Sequence, residues 1–188
     1  MKRLSRDFFA WSTETVAKAL IGCRLKRIMP DGADISGLIS ETEAYLGGND
    51  TACHTSKGKT RRNEVMFGPP GYFYVYLTYG MYHMLNIVSE PAGNPCAVLI
   101  RGVIPETGLA IMQANRKGRK DLANGPGKLT RAYDIDGQFN GIDMINSKTL
   151  FITSGISVKK EAIKAVPRIG IAYAEKKDRE AFLRFVMI

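Results

Sequence analysis

The stretch CRLKRIMPDGADISGLISETEAYL, residues 23–46, decides the fold class. Residues 23–29 are predicted to form a strand, Pro30-Asp31-Gly32 a turn, and residues 35–46 the returning strand, because Pro, Asp and Gly favour a tight turn between two apolar runs. Two strands joined in this way pair antiparallel. A helix over about residues 13–20 is predicted to precede this hairpin, with Ser12 or Thr13 as its cap.

The rest of the chain continues this mixture of short strands and short helices. Further strands are predicted at residues 72–77, 85–88, 96–103, 149–153 and 169–173. Helices are predicted from Pro105-Glu106 to about Asn115 and over residues 128–133, with a long polar loop at residues 51–71. No repeat or linker divides the sequence. We therefore predict an α+β fold in one domain, residues 1–188, with a mostly antiparallel, curved β-sheet flanked by short helices.

Composition narrows the classes of function. The 188 residues include 27 Lys and Arg against 18 Asp and Glu, a formal charge of +9 that favours a polyanionic partner. No stretch reaches the roughly 20 apolar residues of a membrane-spanning helix, so we expect neither membrane insertion nor secretion. Cys23, Cys53 and Cys96 are widely spaced and odd in number. A cytoplasmic location fits this cysteine usage best, with association with the nucleoid if the source is bacterial.

Two clusters of cations contribute much of the charge. The first holds Lys57, Lys59, Arg61 and Arg62, and the second, between residues 115 and 131, holds Arg116, Lys117, Arg119, Lys120, Lys128 and Arg131 against one Asp121. Either cluster alone is explained as a solvated face. Because the two flank an aromatic segment in one small basic chain, we predict that they contact the phosphates of a nucleic acid.

Two carboxylates lie near the end of the strand predicted at residues 35–46. Glu41, Glu43 and Tyr45 have the same parity, so they are predicted to project from one face of the strand, with Ile39 behind them. A partly buried carboxylate of this kind is suited to acid–base chemistry. The alternative, a solvent-facing strand end paired to Lys or Arg, has equal support from the local sequence.

The segment YFYVYLTYGMY, residues 72–82, holds six aromatic residues in eleven positions. Such rings stack on nucleobases, and Tyr79, beside a glycine at a predicted turn, is placed to wedge into a base stack. Tyr72 and Tyr74 are instead assigned to the aromatic half of a sheet core. No dinucleotide-binding glycine pattern, phosphate-binding P-loop or serine-hydrolase motif occurs, and His54 and His83 have no metal-ligand spacing. We expect no metal and no cofactor.

Several stretches, taken together, resemble the alkyladenine DNA glycosylase family, the 3-methyladenine glycosylases of the alkylpurine type. The matching stretches are Glu41–Gly47, Ala52-Cys53-His54, Met66-Phe67, Pro70-Gly71, Tyr74-Val75-Tyr76, Tyr79–Tyr82, Leu85-Asn86, Ala97–Arg101, Asn124–Leu129 and Pro167–Gly170. Their order and spacing cover nearly the whole chain. The resemblance implies a monofunctional enzyme that hydrolyses the bond between deoxyribose and a damaged purine in double-stranded DNA.

The resemblance also implies the catalytic residues. Glu43 matches the family's general base, which activates a water for attack on the sugar C1′. Arg101 matches a residue that helps to hold this water, and the backbone near Ile169 lines the same place.

The substrate-binding residues follow from the same resemblance. Tyr45 and His54 match residues that stack on one face of the flipped base, and Tyr76 matches the residue on its other face. Asn86 matches a pocket residue that crowds an exocyclic amino group and so excludes guanine. Tyr79 matches the side chain that fills the gap left in the duplex, while Lys57, Lys59, Arg61, Arg62 and Lys128 are expected to contact DNA.

Two other functions are compatible with the same residues. A non-catalytic nucleic-acid-binding module would use the same aromatics and cations, and a metal-dependent nuclease would use Glu41 and Glu43. The enzyme is expected to act as a monomer and, with no lysine placed as a nucleophile, to leave the DNA strand intact.

Overall fold

The hairpin predicted at residues 23–46 lies within the central sheet. A computed structural model describes residues 2–188 and has β1 at Arg24–Ile28 and β2 at Asp34–Tyr45, paired antiparallel. The turn is closed by a 2.8 Å hydrogen bond from the Met29 N–H to the carbonyl of Ala33. The antiparallel hairpin predicted from residues 23–46 is therefore confirmed.

The other strands extend the sheet on both sides of the hairpin. Within residues 2–188 they are β3 at Phe73–Thr78, β4 at Tyr82–Ser89, β5 at Cys96–Thr107, β6 at Leu150–Thr153, β7 at Ile163–Val166 and β8 at Arg184–Met187. The strand order is β3-β4-β5-β2-β1-β6, β8 pairs with β2 and β7, and all these pairings are antiparallel. The predicted α+β class is confirmed.

The helices are short and pack around the sheet. In the described residues they are α1 at Arg6–Phe9, α2 at Thr13–Ala19, α3 at Leu109–Asn115, α4 at Pro126–Ala132 and α5 at Lys176–Glu180. The prediction that Pro105-Glu106 opens a helix is wrong, because β5 continues to Thr107 along β2. Pro105 lies opposite Gly37 at a register shift, where its missing N–H costs little. Gly108, with φ of 72°, then breaks the strand before α3.

The last third of the chain also differs from the prediction. Residues 169–173 form a loop rather than a strand, whereas the unpredicted β7 pairs with β8. β8 in turn pairs with the second half of β2, through Glu41 to Glu43. The loop after β7 is thereby carried to the end of β2, where the predicted catalytic residues lie.

A β-bulge in β2 changes which side chains share a face. The register against β5 shifts between Ile39 and Thr42. As a result Ile39 and Ala44, of opposite parity, both pack in the main core, while Glu43 points to the opposite face. The prediction that Ile39 lies behind Glu43 on the same face is therefore wrong.

The two larger hydrophobic clusters lie on opposite faces of the sheet, and a third, small one joins Ala52 to Ile171 and Ala174. The main core joins the sheet to helices α2 and α4. A smaller cluster, formed by Cys53, Met66, Tyr74, Val88 and Ala97, is packed by Tyr45, Tyr72 and Tyr76. Tyr74 is 2% exposed, which confirms its assignment to a core. Among residues 2–188, no helix is long and apolar enough to span a bilayer.

Candidate active site

A cavity of about 260 Å³ opens above the smaller cluster. Strands β3, β4 and β5 form its floor, and the loops around His54 and Ile169 form its sides. Seven predicted site residues line it: Tyr45, His54, Tyr76, Tyr79, Asn86, Arg101 and Ile169. The fold therefore brings together residues that lie as far apart in the sequence as Tyr45 and Ile169.

Glu43 lies directly behind the wall of this cavity and is 0% exposed. Its Oε1 accepts a 2.8 Å hydrogen bond from the backbone N–H of Ile169, and its Oε2 accepts one of 2.8 Å from the Tyr45 hydroxyl. Burial raises the pKa of the Glu43 carboxyl above its ordinary 4.5, while the nearby Arg101 cation and these hydrogen bonds act in the opposite direction. The carboxyl is thus buried, paired and more basic than an exposed glutamate.

Arg101 links the two carboxylates of β2. Its Nε donates to Glu41 Oε1 at 2.9 Å, and its Nη1 lies 3.3 Å from Glu43 Oε1. Glu41 Oε1 also accepts from Nη1 of Arg184, on β8, at 2.9 Å. Glu41 matches the alternative of a charged strand end paired to arginine, but the fully buried Glu43 does not match a solvent-facing end.

Aromatic rings form the inner wall of the cavity. His54 and Tyr76 have ring centroids 4.5 Å apart at 64°, and Tyr74 and Tyr76 lie 5.2 Å apart at 34°. The Nδ1 atom of His54 is 2.9 Å from the Tyr74 hydroxyl. Partial burial of the ring and the nearby Arg62 cation lower the pKa of His54, which favours the neutral imidazole. The wall offers π-faces without a cationic histidine.

Asn86, on β4, lies at the cavity floor and is 4% exposed. Its Nδ2 donates to the carbonyls of Tyr74 at 3.0 Å and Met84 at 3.3 Å. These two bonds to the backbone fix the side-chain amide, so that it presents a rigid edge to whatever fills the cavity.

Tyr79 stands at the mouth of the cavity, at the tip of the β3–β4 hairpin. It is 86% exposed and has a φ of 50°, a left-handed conformation that is uncommon for a residue with a bulky side chain. The turn therefore projects a large ring into solvent beside the cavity, at some conformational cost.

The predicted cationic residues fall into three environments. Lys57, Lys59 and Arg61 are exposed on the loop beside the cavity. Arg62 lies against the aromatic wall of the cavity. Its guanidinium is 5.1 Å from the Tyr76 ring centroid, and its Nη2 donates to the Leu77 carbonyl at 3.1 Å. Lys128 lies outside the cavity and is paired with Asp121 at 2.9 Å.

Two residues that received no role from the sequence hold this site together. Arg168 is buried and forms a bidentate pair with Asp50, and its guanidinium lies over the Tyr45 ring. Tyr173 also lines the cavity and donates from its hydroxyl to the Ala52 carbonyl at 2.9 Å. The stretch Pro167–Gly170 was the only signal for Arg168, since pairing across 118 positions has no local signature.

The carboxylates of the site are arranged around arginines. Glu41 and Glu43 share Arg101, and in residues 2–188 no group of three or more His, Cys, Asp or Glu side chains is grouped to hold a metal ion. The donor set therefore gives no support to the nuclease alternative.

A buried carboxylate behind an aromatic, cation-flanked cavity on an antiparallel α+β sheet is suited to holding a flat aromatic base beside a proton acceptor. The family model described as Methylpurine-DNA glycosylase (MPG) matches residues 7–188. The chain belongs to this family. The resemblance found in the sequence is confirmed, and the chain is a DNA glycosylase for alkylated bases, a hydrolase of N-glycosyl bonds with DNA as its substrate.

Curated relatives agree with this family. A protein of Methanocella arvoryzae is 51% identical over 177 residues, which cover 93% of this chain and 87% of the relative. Proteins of Prosthecochloris aestuarii and Carboxydothermus hydrogenoformans are each 47% identical, over 92% and 89% of this chain and 83% and 88% of the relatives. All three carry the name "Putative 3-methyladenine DNA glycosylase".

Proposed function

We propose that this enzyme removes 3-methyladenine-type purines from double-stranded DNA, with Glu43 as the base that activates the attacking water. The observation that carries the proposal is the fully buried Glu43 carboxyl directly behind a cavity lined by Tyr45, His54 and Tyr76. In the reaction the water oxygen bonds to C1′ and the C1′–N bond breaks, its electron pair leaving with the purine. The water proton passes to Glu43, and the products are a free base and an abasic site.

The aromatic wall supports binding of a base that has left the duplex. C1′ is inaccessible in the stacked helix, so the nucleotide must rotate into the cavity before reaction. Alkylation of a ring nitrogen makes many purines cationic, and the faces of Tyr45 and Tyr76 attract a cation. The neutral His54 adds no opposing charge. A cationic purine is also a good leaving group, so that a carboxylate and a positioned water are sufficient for hydrolysis.

The contacts of Glu43 support its role as the base. Burial strengthens it as a proton acceptor, while Arg101 favours the ionised form needed to accept a proton. The Arg101 guanidinium and the backbone around Ile169 border the same carboxylate oxygen, so a water placed among them is oriented by several groups. The Tyr45 hydroxyl donates to the other oxygen, Oε2, and so helps to hold the carboxylate in place.

The residues on the surface around the cavity support binding to duplex DNA. Tyr79 projects beside the mouth, where its ring would replace the stacking lost by the flipped base. Lys57, Lys59 and Arg61 are exposed and would contact phosphates on one side of Tyr79, with Lys59 also lying over the ring of Phe67. Lys128 would contribute on the other side by exchanging Asp121 for a phosphate, whereas Arg62 contacts the aromatic wall.

Chromatography of the purines released from alkylated duplex DNA tests this function. The purified protein should release free 3-methyladenine at the same rate with and without a chelator, and the strand should break only after alkali cleaves the abasic site. Salt-sensitive binding without free purine would support the non-catalytic alternative. Loss of activity on chelation would support a metal-dependent one.

A further inference from the structure

Arg168 is a buried cation whose two terminal nitrogens are both hydrogen-bonded, while its Nε has no hydrogen-bond partner. Its side chain is 0% exposed, and its Nη1 and Nη2 donate to the two oxygens of Asp50 at 2.5 and 2.8 Å. Nη1 also donates to the Ala44 carbonyl at 2.9 Å, and Nη2 to the Asp178 carbonyl at 3.2 Å. A planar guanidinium held by four such bonds has one orientation, which a lysine could not reproduce.

This single side chain is connected to both oxygens of Glu43. Its Cζ lies 4.8 Å from the centroid of the Tyr45 ring, and the hydroxyl of that ring donates to Glu43 Oε2. The peptide that follows Arg168 provides the Ile169 N–H that donates to Glu43 Oε1. The two donors come from distant parts of the chain, and Arg168 contacts one and is bonded to the other.

We propose that Arg168, held by Asp50, is a positioning residue that fixes the two hydrogen-bond donors on Glu43. The proposal rests on the proposed role of Glu43 as the base. A buried ion pair is a costly way to gain stability, because both charges lose their hydration. Its use here is explained by the fixed geometry that it gives to a site assembled from β2, the loop after it and the loop after β7.

The orientation of the Arg168 guanidinium and its positive charge affect Glu43 in two ways that substitutions can separate. The groups that bear on Glu43 are Arg101 from β5, Tyr45 from β2, Ile169 and Arg168 from the loop after β7, Tyr76 from β3, and Glu41 through Arg101. Among them, the Arg168 cation lowers the pKa of Glu43 against the effect of burial. Arg168→Lys keeps the cation and loses the planar fork, whereas Arg168→Gln loses both.

Arg6 provides a control with similar partners, although its side chain is 36% exposed whereas that of Arg168 is 0% exposed. Its Nη2 pairs with Asp143 at 2.8 Å, its Nη1 donates to the Pro70 carbonyl, and its Cζ lies 5.3 Å from the Tyr72 ring centroid. It therefore has the same kinds of partner, a carboxylate, a carbonyl and a tyrosine ring, but no connection to the base. Arg6→Lys and Arg6→Gln report the general cost of losing such an arginine.

The test is single-turnover base release with enzyme in excess, measured across pH for the wild type and the four arginine variants, together with affinity for lesion DNA. We expect Arg168→Lys to slow release by roughly 10- to 100-fold at unchanged affinity, since small misplacements of reacting groups have effects of this size. Its pH midpoint should stay near that of the wild type, whereas Arg168→Gln should move the midpoint upward. Both Arg6 variants should match the wild type. Asp50→Asn should slow base release by about as much as Arg168→Lys does.

The rate constant is determined on folded molecules, because loss of folded enzyme lowers the amount of DNA that reacts rather than the rate constant at saturation. Equal rates for the Arg168→Lys and Arg6→Lys variants would overturn the proposal. So would loss of cooperative unfolding in both Arg168→Lys and Asp50→Asn, which would make the pair a folding requirement. An inactive wild type would refute the proposed function instead, so the two failures are distinguishable.

Discussion

The backbone N–H of Ile169 donates a 2.8 Å hydrogen bond to Oε1 of Glu43, a residue 126 positions earlier in the chain. This bond attaches the loop after β7 to β2 and leaves the Ile169 side chain 50% exposed at the cavity wall. An apolar side chain is thus held in solvent by a backbone contact with the buried carboxylate. This contact and the aromatic inner wall together shape the cavity.

The pH dependence of base release should reflect the buried environment of Glu43. Because burial raises the pKa of Glu43 above 4.5 and the base acts in its ionised form, the single-turnover rate should rise with pH through a midpoint above 4.5. The measurement is the rate at saturating enzyme across the acidic range. A midpoint at or below that of an exposed glutamate would contradict this account of the carboxyl.

The same pKa predicts how stability changes with pH. A carboxyl whose pKa is higher in the folded state than in the unfolded state stabilises the fold while it is protonated, and this contribution is lost as pH rises through the folded-state pKa. Glu43→Gln does not bear the cost of burying an ionised carboxylate. Its melting temperature should therefore exceed that of the wild type by more at neutral than at acidic pH. Thermal unfolding at several pH values measures this difference. A gap that is constant or shrinks with rising pH would contradict the prediction.

Arg62 and Lys57 should differ although both belong to the first cationic cluster. Lys57→Ala removes an exposed charge and should lower the slope of log affinity against log salt by about 1, with little change in the rate of base release. Arg62→Ala removes a guanidinium that packs on Tyr76 and should also slow release. Binding over a salt series and single-turnover rates separate the two effects. Identical behaviour of the two variants would show that Arg62 acts only on phosphates.

Asn86 should control selectivity through its fixed amide. Asn86→Ala removes the fixed amide that is predicted to crowd an exocyclic amino group, so release of undamaged guanine relative to 3-methyladenine should rise, by roughly 10-fold. Chromatography of both bases from the same alkylated DNA gives the ratio directly, with the lesion as the internal control. An unchanged ratio would remove Asn86 from the selectivity mechanism.

Phe185 should be the main hydrophobic anchor of β8. It is 0% exposed in the main core, so Phe185→Ala should lower the free energy of unfolding by roughly 3–5 kcal/mol. Phe182, which is 64% exposed three positions earlier, is the control, and its replacement by Ala should change stability by no more than about 0.5 kcal/mol. Denaturant unfolding measures both. Similar losses for the two variants would contradict the packing assigned to β8.

The local parts of the fold could be predicted because their signals are local. Pro30-Asp31-Gly32 specifies a turn wherever it occurs between two apolar runs, and the hairpin of β1 and β2 follows from it. Pro105-Glu106 is an equally good local signal for a helix, but the pairing of β5 with β2 overrides it. Residues 169–173 have the composition of a strand, yet their apolar side chains serve the cavity wall.

The sequence predicted which residues belong to the candidate site better than it predicted how the fold brings them together. Glu43, Tyr45 and Tyr76 belong to stretches whose order resembles a known family, and the cavity brings them together. The bulge in β2, which turns Glu43 away from the main core, depends on pairing with β5 and has no signature of its own. The buried pair of Arg168 and Asp50 looks like two ordinary surface charges until the fold joins them.

The central claim, that Glu43 is the base, is tested most directly by single-turnover release of 3-methyladenine from duplex DNA by Glu43→Gln, with binding measured on the same DNA. Glu161→Gln, at an exposed position, is the control. We expect release to be slowed by roughly 10²- to 10⁴-fold at preserved affinity, because the amide cannot accept the proton of water. Release at the wild-type rate by Glu43→Gln would contradict it.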